Sequence, residues 1–342
     1  MKITMAHGSG GQETRELVTE VFRRRLGNEH LDRMEDAAAL PRLDYPLAMT
    51  TDTFVVTPPE FPGGDIGKLA VCGTVNDLWM SGARPLYLSA GFVLREGLEI
   101  GLLERVAGSM AQAARAAGVQ IVAGDTKVIE NSGDDAGGIF INTAGIGCRQ
   151  WALTPGAADA RAGDAVILSG PLGNHHAAIL SRRLGIENNI MSDCADLGPP
   201  AEALLAGGVR VRAMRDVTRG GLATVLNEMA AAAGLRIEAE ESAIPVDADV
   251  ERFCALLGLD PLYMANEGKF ICLVADADAE RALELLRAFP LGAQAARIGR
   301  TEALPAPDEK LPGAEPPVIL RTALGGRRIL DSLYGEGLPR IC

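Results

Sequence analysis

Aromatic residues and long apolar runs are scarce in this sequence. Aromatic side chains make up 4% of its 342 residues, so a large core must be built from closely packed aliphatic side chains. No apolar stretch reaches the roughly 18 residues of a membrane-spanning helix. Residues 1–11 lack the apolar segment of a secretory signal. We therefore expect a cytoplasmic protein with no membrane partner.

Basic charge is also in short supply. The chain carries 33 Lys and Arg residues against 45 Asp and Glu residues, a net charge of −12. Such a balance argues against nucleic acid as a partner. It does not argue against nucleotides, because a magnesium ion can bridge a carboxylate and a phosphate. A chain of this length is long enough to form two domains.

The six cysteines include no C-x-x-C pair, which argues against a zinc ribbon or a thioredoxin motif. Cys72 and Cys272 stand in apolar runs and are predicted to be small core residues. Cys342 is the last residue and follows Gly335 and Pro339, which favour a mobile tail. We expect this cysteine to lie outside any core and to be a reactive end.

Hydrophobic periodicity predicts an α+β protein with two domains. The predicted helices lie at 14–26, 64–81, 99–117, 175–184, 201–208, 221–233 and 277–288. The predicted strands lie at 46–57, 86–94, 119–123, 138–147, 164–169, 235–239, 269–275 and 296–300. We predict an N-terminal domain at 1–150, a linker at 151–162, a C-terminal domain at 163–320 and a mobile tail at 321–342.

Two glycine pairs stand where a backbone can wrap a phosphate group. Gly10 and Gly11 precede the first predicted helix, and bare amides can approach an anion closely there. Gly220 and Gly221 open a later helix, whose free amides favour anions. Neither a dinucleotide fingerprint nor a Walker A sequence is present. The alternative for the first pair is a flexible N-terminus.

Aspartates recur beside turns and expected strand ends. Asp36, Asp52, Asp125 and Asp216 occupy such positions, and side chains of this kind can converge on magnesium, which prefers hard oxygen ligands. The alternative for each one alone is a helix cap or a turn aspartate. The recurrence in a chain without a phosphate-binding Walker motif favours a metal–nucleotide cleft.

Three further charged positions are candidates for chemistry. Asn76 and Asp77 lie on a predicted helix that is apolar nearly all round, and a buried carboxylate is costly unless it is paired or bound to metal. The alternative for this pair is a structural hydrogen bond to a neighbouring helix cap. Lys127 could neutralise a phosphate or a developing anion, or could form a surface salt bridge. Glu267 could be a base, a metal ligand or a loop charge.

Together these motifs resemble the HypE family of hydrogenase maturation factors, within the PurM-like (aminoimidazole ribonucleotide synthetase-like) superfamily. The resemblance covers essentially the whole chain. It is carried by His7-Gly8-Ser9-Gly10-Gly11, Asn76-Asp77-Leu78, Ala123-Gly124-Asp125-Thr126-Lys127, residues 216–224, Asn266-Glu267-Gly268-Lys269 and Pro339-Arg340-Ile341-Cys342.

The resemblance implies a homodimer in which the N-terminal domains join their sheets into a barrel. It implies that ATP and Mg²⁺ lie in a cleft between the domains. It further implies that HypF places a carbamoyl group on Cys342 and that the protein then dehydrates this group to a thiocyanate with ATP. The cyanide would pass to iron on a HypC–HypD scaffold for the nickel–iron hydrogenase cofactor.

The same interpretation of the sequence assigns roles to individual residues. The expected nucleotide ligands are Gly10, Gly11, Asn76, Gly124, Asp125, Thr126, Thr218, Arg219, Gly220, Gly221 and Asn227. The expected magnesium ligands are Asp36, Asp52, Asp77, Asp125 and Asp216. Lys127 would stabilise the oxygen that is phosphorylated, and Glu267 would be the base, with Glu228 or His7 as alternatives. The competing functions are a PurM-like synthetase or kinase acting on a free small molecule, and a non-enzymatic carrier.

Overall fold

A computed structural model describes residues 1–131, 138–151, 155–304 and 318–333. In the N-terminal half the strands are β1 (Leu47–Phe54), β2 (Glu60–Phe61), β3 (Gly64–Asp65), β4 (Arg84–Arg95), β5 (Gln120–Ile129) and β6 (Ile139–Cys148). Four of them form a sheet in the order β1-β6-β4-β5, and β2 pairs with β3. In the sheet, β4 and β5 run parallel and the other neighbours are antiparallel.

Helices cover one face of this sheet. They are α1 (Gln12–Leu17), which continues through a π-helical stretch at Val18–Arg23 into α2 (Arg24–Leu26), α3 (Ile66–Met80) and α4 (Ile100–Ala116). Asp65 caps α3, because its Oδ1 accepts hydrogen bonds from the amides of Gly67 (2.8 Å) and Lys68 (2.9 Å). Nearly every residue of α3 is buried. The prediction of a buried, all-round apolar helix is confirmed.

The other face of the four-stranded sheet is open and partly apolar. Leu47 and Met49 on β1 are 58% and 72% exposed. Among the described residues the sheet does not close into a barrel. The barrel across a homodimer therefore stays a prediction.

The C-terminal half contains a seven-stranded sheet. Its strands are β7 (Ala165–Leu168), β8 (Val211–Asp216), β9 (Arg236–Glu240), β10 (Phe270–Val274), β11 (Ala296–Glu302), β12 (Val318–Arg321) and β13 (Arg327–Ile329). Their order is β13-β12-β9-β11-β7-β10-β8. The helices are α5 (Asn174–Leu184), α6 (Gly198–Ala206), α7 (Gly221–Ala233), α8 (Ala248–Leu257) and α9 (Ala279–Arg287). The mixed α/β composition agrees with the predicted fold class.

Several boundaries differ from those predicted. Asp52 and Asp125 lie inside β1 and β5 rather than at strand ends, because pairing with β6 and β4 extends both strands beyond their apolar stretches. The first part of the predicted tail, 321–342, contains regular structure. Residues 327–329 form β13, which pairs with β12, and Leu330 is fully buried. Residues 334–342, including Cys342, lie outside the described residues, as do 152–154 of the expected linker.

The two halves are joined through α3 and the segment that precedes α6. The side chain of Asn76 donates to the carbonyl oxygen of Ala195 (3.0 Å) and accepts from the amide of Leu197 (2.8 Å). Trp79, one turn further along, packs directly against Gly198, where an added Cβ would lie 2.5 Å from the indole nitrogen. Asn76, expected to bind nucleotide, therefore holds the second domain against the first.

Candidate active site

Four carboxyl groups from separate parts of the chain gather where the two domains meet. We call Asp52, Asp77, Asp216 and Glu267 the acidic cluster. Asp52 lies on β1, Asp77 on α3 and Asp216 at the end of β8. Glu267 comes next to Asp216 because Phe270 pairs with Asp216 across β10 and β8. The structure thus brings three predicted metal ligands and the predicted base together.

Burial and mutual repulsion disfavour the charged forms in this cluster. Burial, and then the charge of Asp77, raise the pKa of Asp216 to about 7. Burial, followed by the charge of Asp216, raises the pKa of Glu267 well above its usual value. Burial also raises the pKa of Asp77, against a hydrogen bond from Thr50 at 2.8 Å. The cluster is therefore a place where a proton or a cation is favoured.

Stability should depend on pH because of Asp216. Its folded pKa of about 7 lies above the ordinary 3.8, so between these values the folded protein holds more protons than the unfolded chain. The free energy of unfolding should then fall as the pH rises through that range, by up to about 1.4 kcal/mol per pH unit. Urea denaturation across the range should show a shallower fall for Asp216→Asn. A fall as steep as in the parent and in the surface control Asp249→Asn would contradict this assignment.

The loop that carries Glu267 is held by hydrogen bonds to other segments of the second domain. The Glu267 amide donates to Asp193 Oδ1 (3.1 Å), and its carbonyl oxygen accepts from the amide of Ala195 (3.3 Å). Next to it, the fully buried Asn266 accepts from the Gly173 amide (2.7 Å) and donates to the carbonyl oxygen of Val217 (3.0 Å). These bonds fix the loop beside the end of β8, so the backbone at Glu267 has a defined position.

A buried ion pair supports the same loop. Lys269 Nζ lies 3.3 Å from Asp193 Oδ2, and both side chains are 6% exposed. The ammonium group also donates to the carbonyl oxygen of Gly268 (3.1 Å). Removing one partner would leave the other charge buried and unpaired, which typically costs about 3–5 kcal/mol. Asp193 was not predicted, because no local pattern marks a residue whose partners lie more than 70 positions away.

Gly268 has no room for a side chain. An added Cβ would lie 1.8 Å from the backbone oxygen of Asp193. We expect Gly268→Ala to lower the free energy of unfolding by about 1–3 kcal/mol, because the clash involves backbone. Gly108→Ala is the matched control, since a Cβ on that helical glycine meets no atom within 4 Å. Urea denaturation of both variants tests this, and equal stability of the two would refute it.

The acidic cluster has the right ligand type for magnesium. Its donors are hard carboxylate oxygens, and burial, followed by the charge of Asp77, raises the pKa of Asp216, so a cation beside these groups would be favoured. Across the described parts of the chain, no three His, Cys, Asp or Glu side chains lie close enough together to hold a metal ion by themselves. This agrees with an ion that keeps waters and binds through one or two carboxylates and phosphate. One or two of Asp52, Asp77 and Asp216 would hold it.

A second group of predicted residues lies on the open face of the sheet. Asp125 aligns across the strands with Gly91, Asn142 and Thr53, three strand spacings or about 14 Å away from β1. Lys127 Nζ donates to both carboxylate oxygens of Asp125 at 2.7 Å, and this hydrogen bond lowers the Asp125 pKa. Within one chain, Lys127 therefore does not reach the acidic cluster.

A cavity of about 320 Å³ lies between the N-terminal helical segment and β5. Val18, Phe22 and Phe92 give it an apolar wall, and Asp36 lies at the same cavity. Its volume suits a small molecule. The residues from the predicted nucleotide and metal sets that line it are Asp36, Gly124, Asp125 and Thr126.

The remaining candidates are distributed around these two places. Gly10 has a φ of +83° and its amide donates to Thr14 Oγ1, near the cavity. Arg219, before α7, lies 4.0 Å from Asp52. His7 pairs with Thr4 near the surface, and Glu228 pairs with Arg215 at 2.7 Å. Neither alternative base is part of the acidic cluster.

No helix within the described ranges is both long enough and apolar enough to cross a membrane.

Two family models match the chain. The AIR synthase related protein, N-terminal domain, matches residues 34–148, and the AIR synthase related protein, C-terminal domain, matches residues 161–309. Among curated proteins, the carbamoyl dehydratase HypE of Rhodobacter capsulatus is 48% identical over 346 residues, covering 100% of this chain and 98% of that protein.

Two solved structures are similar over nearly the whole length. A hydrogenase maturation protein HypE in complex with ATP has a TM-score of 0.92 and 47% identity, with 99% of each chain covered. A HypE–HypF complex has a TM-score of 0.78 and 41% identity, covering 93% of this chain and 99% of that chain.

Proposed function

Since this chain belongs to the AIR synthase related family and, within it, to the HypE carbamoyl dehydratases, we propose that it dehydrates a carbamoyl group on its own Cys342 with ATP. The product would be a thiocyanate that supplies cyanide for the iron of a nickel–iron hydrogenase. The observation that carries the proposal is the position of the Glu267 carboxyl beside Asp216, on a loop held by Asp193. Burial and the charge of Asp216 raise the pKa of Glu267, so its ionised form is more basic than a free carboxylate.

Dehydration must remove the carbamoyl oxygen, which is a poor leaving group until it is phosphorylated. In the first step the carbamoyl oxygen attacks the γ-phosphorus of ATP, and the bond to ADP breaks. In the second step the nitrogen loses its protons, the carbon–nitrogen triple bond closes and phosphate leaves. The sum is carbamoyl thioester plus ATP giving thiocyanate, ADP, phosphate and one proton. The site must therefore place a base near nitrogen and positive charge near oxygen.

The residues divide this work between them. Glu267 takes a proton from the carbamoyl nitrogen, and the bond from its backbone amide to Asp193 holds the loop that carries it. One or two of Asp52, Asp77 and Asp216 would hold magnesium, which when bound neutralises charge on the phosphates. The start of α7 at Gly220 would face anionic groups, whereas the Gly221 amide already donates to the carbonyl oxygen of Thr218 (3.0 Å).

We place Lys127 in the site through a homodimer. The open face of the sheet exposes the apolar Leu47 and Met49, and such patches favour a second copy. Joining two sheets in this way would close a barrel, and we propose that Lys127 then contributes to the site from the dimer interface. The cavity beside β5, with Asp36, Gly124 and Thr126, would hold the nucleoside end of ATP.

The proposed partners follow from the chemistry and the family. The carbamoyl group must come from a carbamoyltransferase, and the solved HypE–HypF complex supports HypF in that role. The thiocyanate must meet an iron-bearing acceptor, for which we propose a HypC–HypD scaffold. We place all of these steps in the cytoplasm.

Mass spectrometry of the C-terminal peptide tests the proposed function. Carbamoylated protein is incubated with ATP and magnesium, and the peptide that ends in Cys342 should lose the mass of one water. Protein without ATP should keep the carbamoyl mass. Consumption of ATP with an unchanged peptide mass would reject the proposal and favour a free small-molecule substrate.

A further inference from the structure

The last described residues of the chain run along helix α7. Asn227 Nδ2 donates to the carbonyl oxygen of Leu330 at 2.7 Å. One helical turn earlier, Thr224 Oγ1 accepts from the amide of Leu333 at 3.3 Å. The two residues that hold the chain lie three positions apart, on one face of the helix.

Leu330 is a firm attachment point. Its side chain is fully buried in the core cluster that also contains Leu222 and Leu226 of α7. Asn227 Nδ2 also donates to the carbonyl oxygen of Ala223 at 2.8 Å. Two backbone carbonyl oxygens therefore take up its amide hydrogens. This describes a contact to the chain itself rather than the nucleotide ligand that the sequence predicted for Asn227.

The direction of the chain is set by the order of these contacts. From Leu330 to Leu333 the chain moves from Asn227 to Thr224, toward the start of α7. That start follows Arg219, which lies 4.0 Å from Asp52 of the acidic cluster. The described chain therefore ends while heading toward the cluster.

The remaining sequence is long enough to reach the cluster. Nine residues, 334–342, follow Leu333, and an extended segment of that length spans about 30 Å. One turn of α7 separates Thr224 from the helix start, a rise of about 5 Å. The terminal segment is therefore longer than the distance it must span, so the thiol can enter the site and leave it.

We propose that Asn227 and Thr224 form a tail anchor, which starts the terminal segment at the mouth of the cleft and so positions Cys342 for dehydration. This rests on the proposed function of Cys342. The anchor shortens the tether and aims it. Freeing residues 330–333 would lengthen the tether from nine to thirteen residues, which alone lowers the effective concentration about 2-fold.

Asn227→Asp tests the anchor with almost no change of shape. Its carboxylate oxygen would face two carbonyl oxygens and repel the chain at Leu330. We expect faster hydrogen exchange in residues 328–333, an unchanged ATP dissociation constant, and at least a 2-fold slower single-turnover water loss at Cys342. Asn188→Asp, with the same charge change after α5, is the control.

A pair of variants at Thr224 tests the other contact. Thr224→Val keeps the shape but removes the acceptor for the Leu333 amide, and should slow water loss. Thr224→Ser keeps the hydroxyl group and should restore it. Equal rates of water loss for the two variants would show that the hydrogen bond at Thr224 does not matter. That result would overturn the proposed role of Thr224 in the anchor.

Three outcomes at Asn227 overturn the inference. Weaker ATP binding would make Asn227 a nucleotide ligand. Unchanged hydrogen exchange would show that the contact holds nothing. Faster exchange with an unchanged rate of water loss would show that the anchor does not serve delivery. If the parent protein loses no water at all, the proposed function fails instead, while the exchange data still report whether the anchor exists.

Discussion

Glu267→Gln is expected to slow water loss at Cys342 by about 10²–10⁴-fold, the usual contribution of a positioned base. Glutamine has nearly the same shape and keeps the Glu267 backbone bonds to Asp193 and Ala195. ATP affinity should therefore change little. Since burial and neighbouring charge disfavour the carboxylate, the neutral amide should raise the free energy of unfolding at those pH values where the glutamate is ionised. Single-turnover mass spectrometry and urea denaturation measure the two effects.

Two further variants distinguish Glu267 from other acids. Glu302→Gln, on β11 and away from the cluster, should keep the parental rate. Glu228→Gln removes only a surface partner of Arg215, and should leave the rate within a few fold. A larger loss at Glu228 than at Glu267 would transfer the base to α7 and contradict the assignment.

Cys342→Ser is expected to abolish thiocyanate formation. A serine ester of carbamate offers oxygen in place of the polarisable thiol sulfur, and no thiocyanate can form without sulfur. ATP binding should persist, because the nucleotide and metal residues lie elsewhere in the chain. Calorimetry with ATP and magnesium, together with mass spectrometry of the C-terminal peptide, measures both properties.

The control for this variant is a cysteine in the core. Cys148→Ala alters a buried residue of β6, and should leave water loss at Cys342 intact. A PurM-like synthetase or kinase acting on a free substrate would instead couple ATP turnover to its product in the Cys342→Ser protein as well as in the parent. If the Cys342→Ser protein still turned over ATP and formed one product molecule for each ATP, that alternative would be correct.

Local patterns predicted much of the fold. Helix α3 was predicted because its sequence is apolar nearly all round, and α7 because an apolar stripe follows Gly220 and Gly221. The order of β12, β9 and β11 was not predictable, since strands far apart in sequence pair there. Strand β13 was not predicted for another reason: three residues are too few to show a periodic pattern, although the partner β12 is close in sequence.

The site was predicted residue by residue, but not in its arrangement. The sequence pointed to Asp52, Asp77, Asp216 and Glu267 separately, and the structure brings them together. It places Lys127 on the opposite face of the sheet, with Asp125. Asp193 was not predicted, because its structural role depends on contacts with Glu267 and Lys269, which are distant in sequence. The assigned roles of these residues stay predictions until the variants are measured.

The sequence by itself determined the family, the buried helix α3, the candidate carboxylates and the terminal cysteine. These depend on residue type and short spacing, which local chemistry fixes. The tertiary structure alone decided that Asn76 joins the domains, that Asp193 holds the Glu267 loop, and that Asn227 contacts the chain before Cys342. Such roles depend on which distant groups fill a hydrogen bond or share buried charge, and only packing brings those groups within reach.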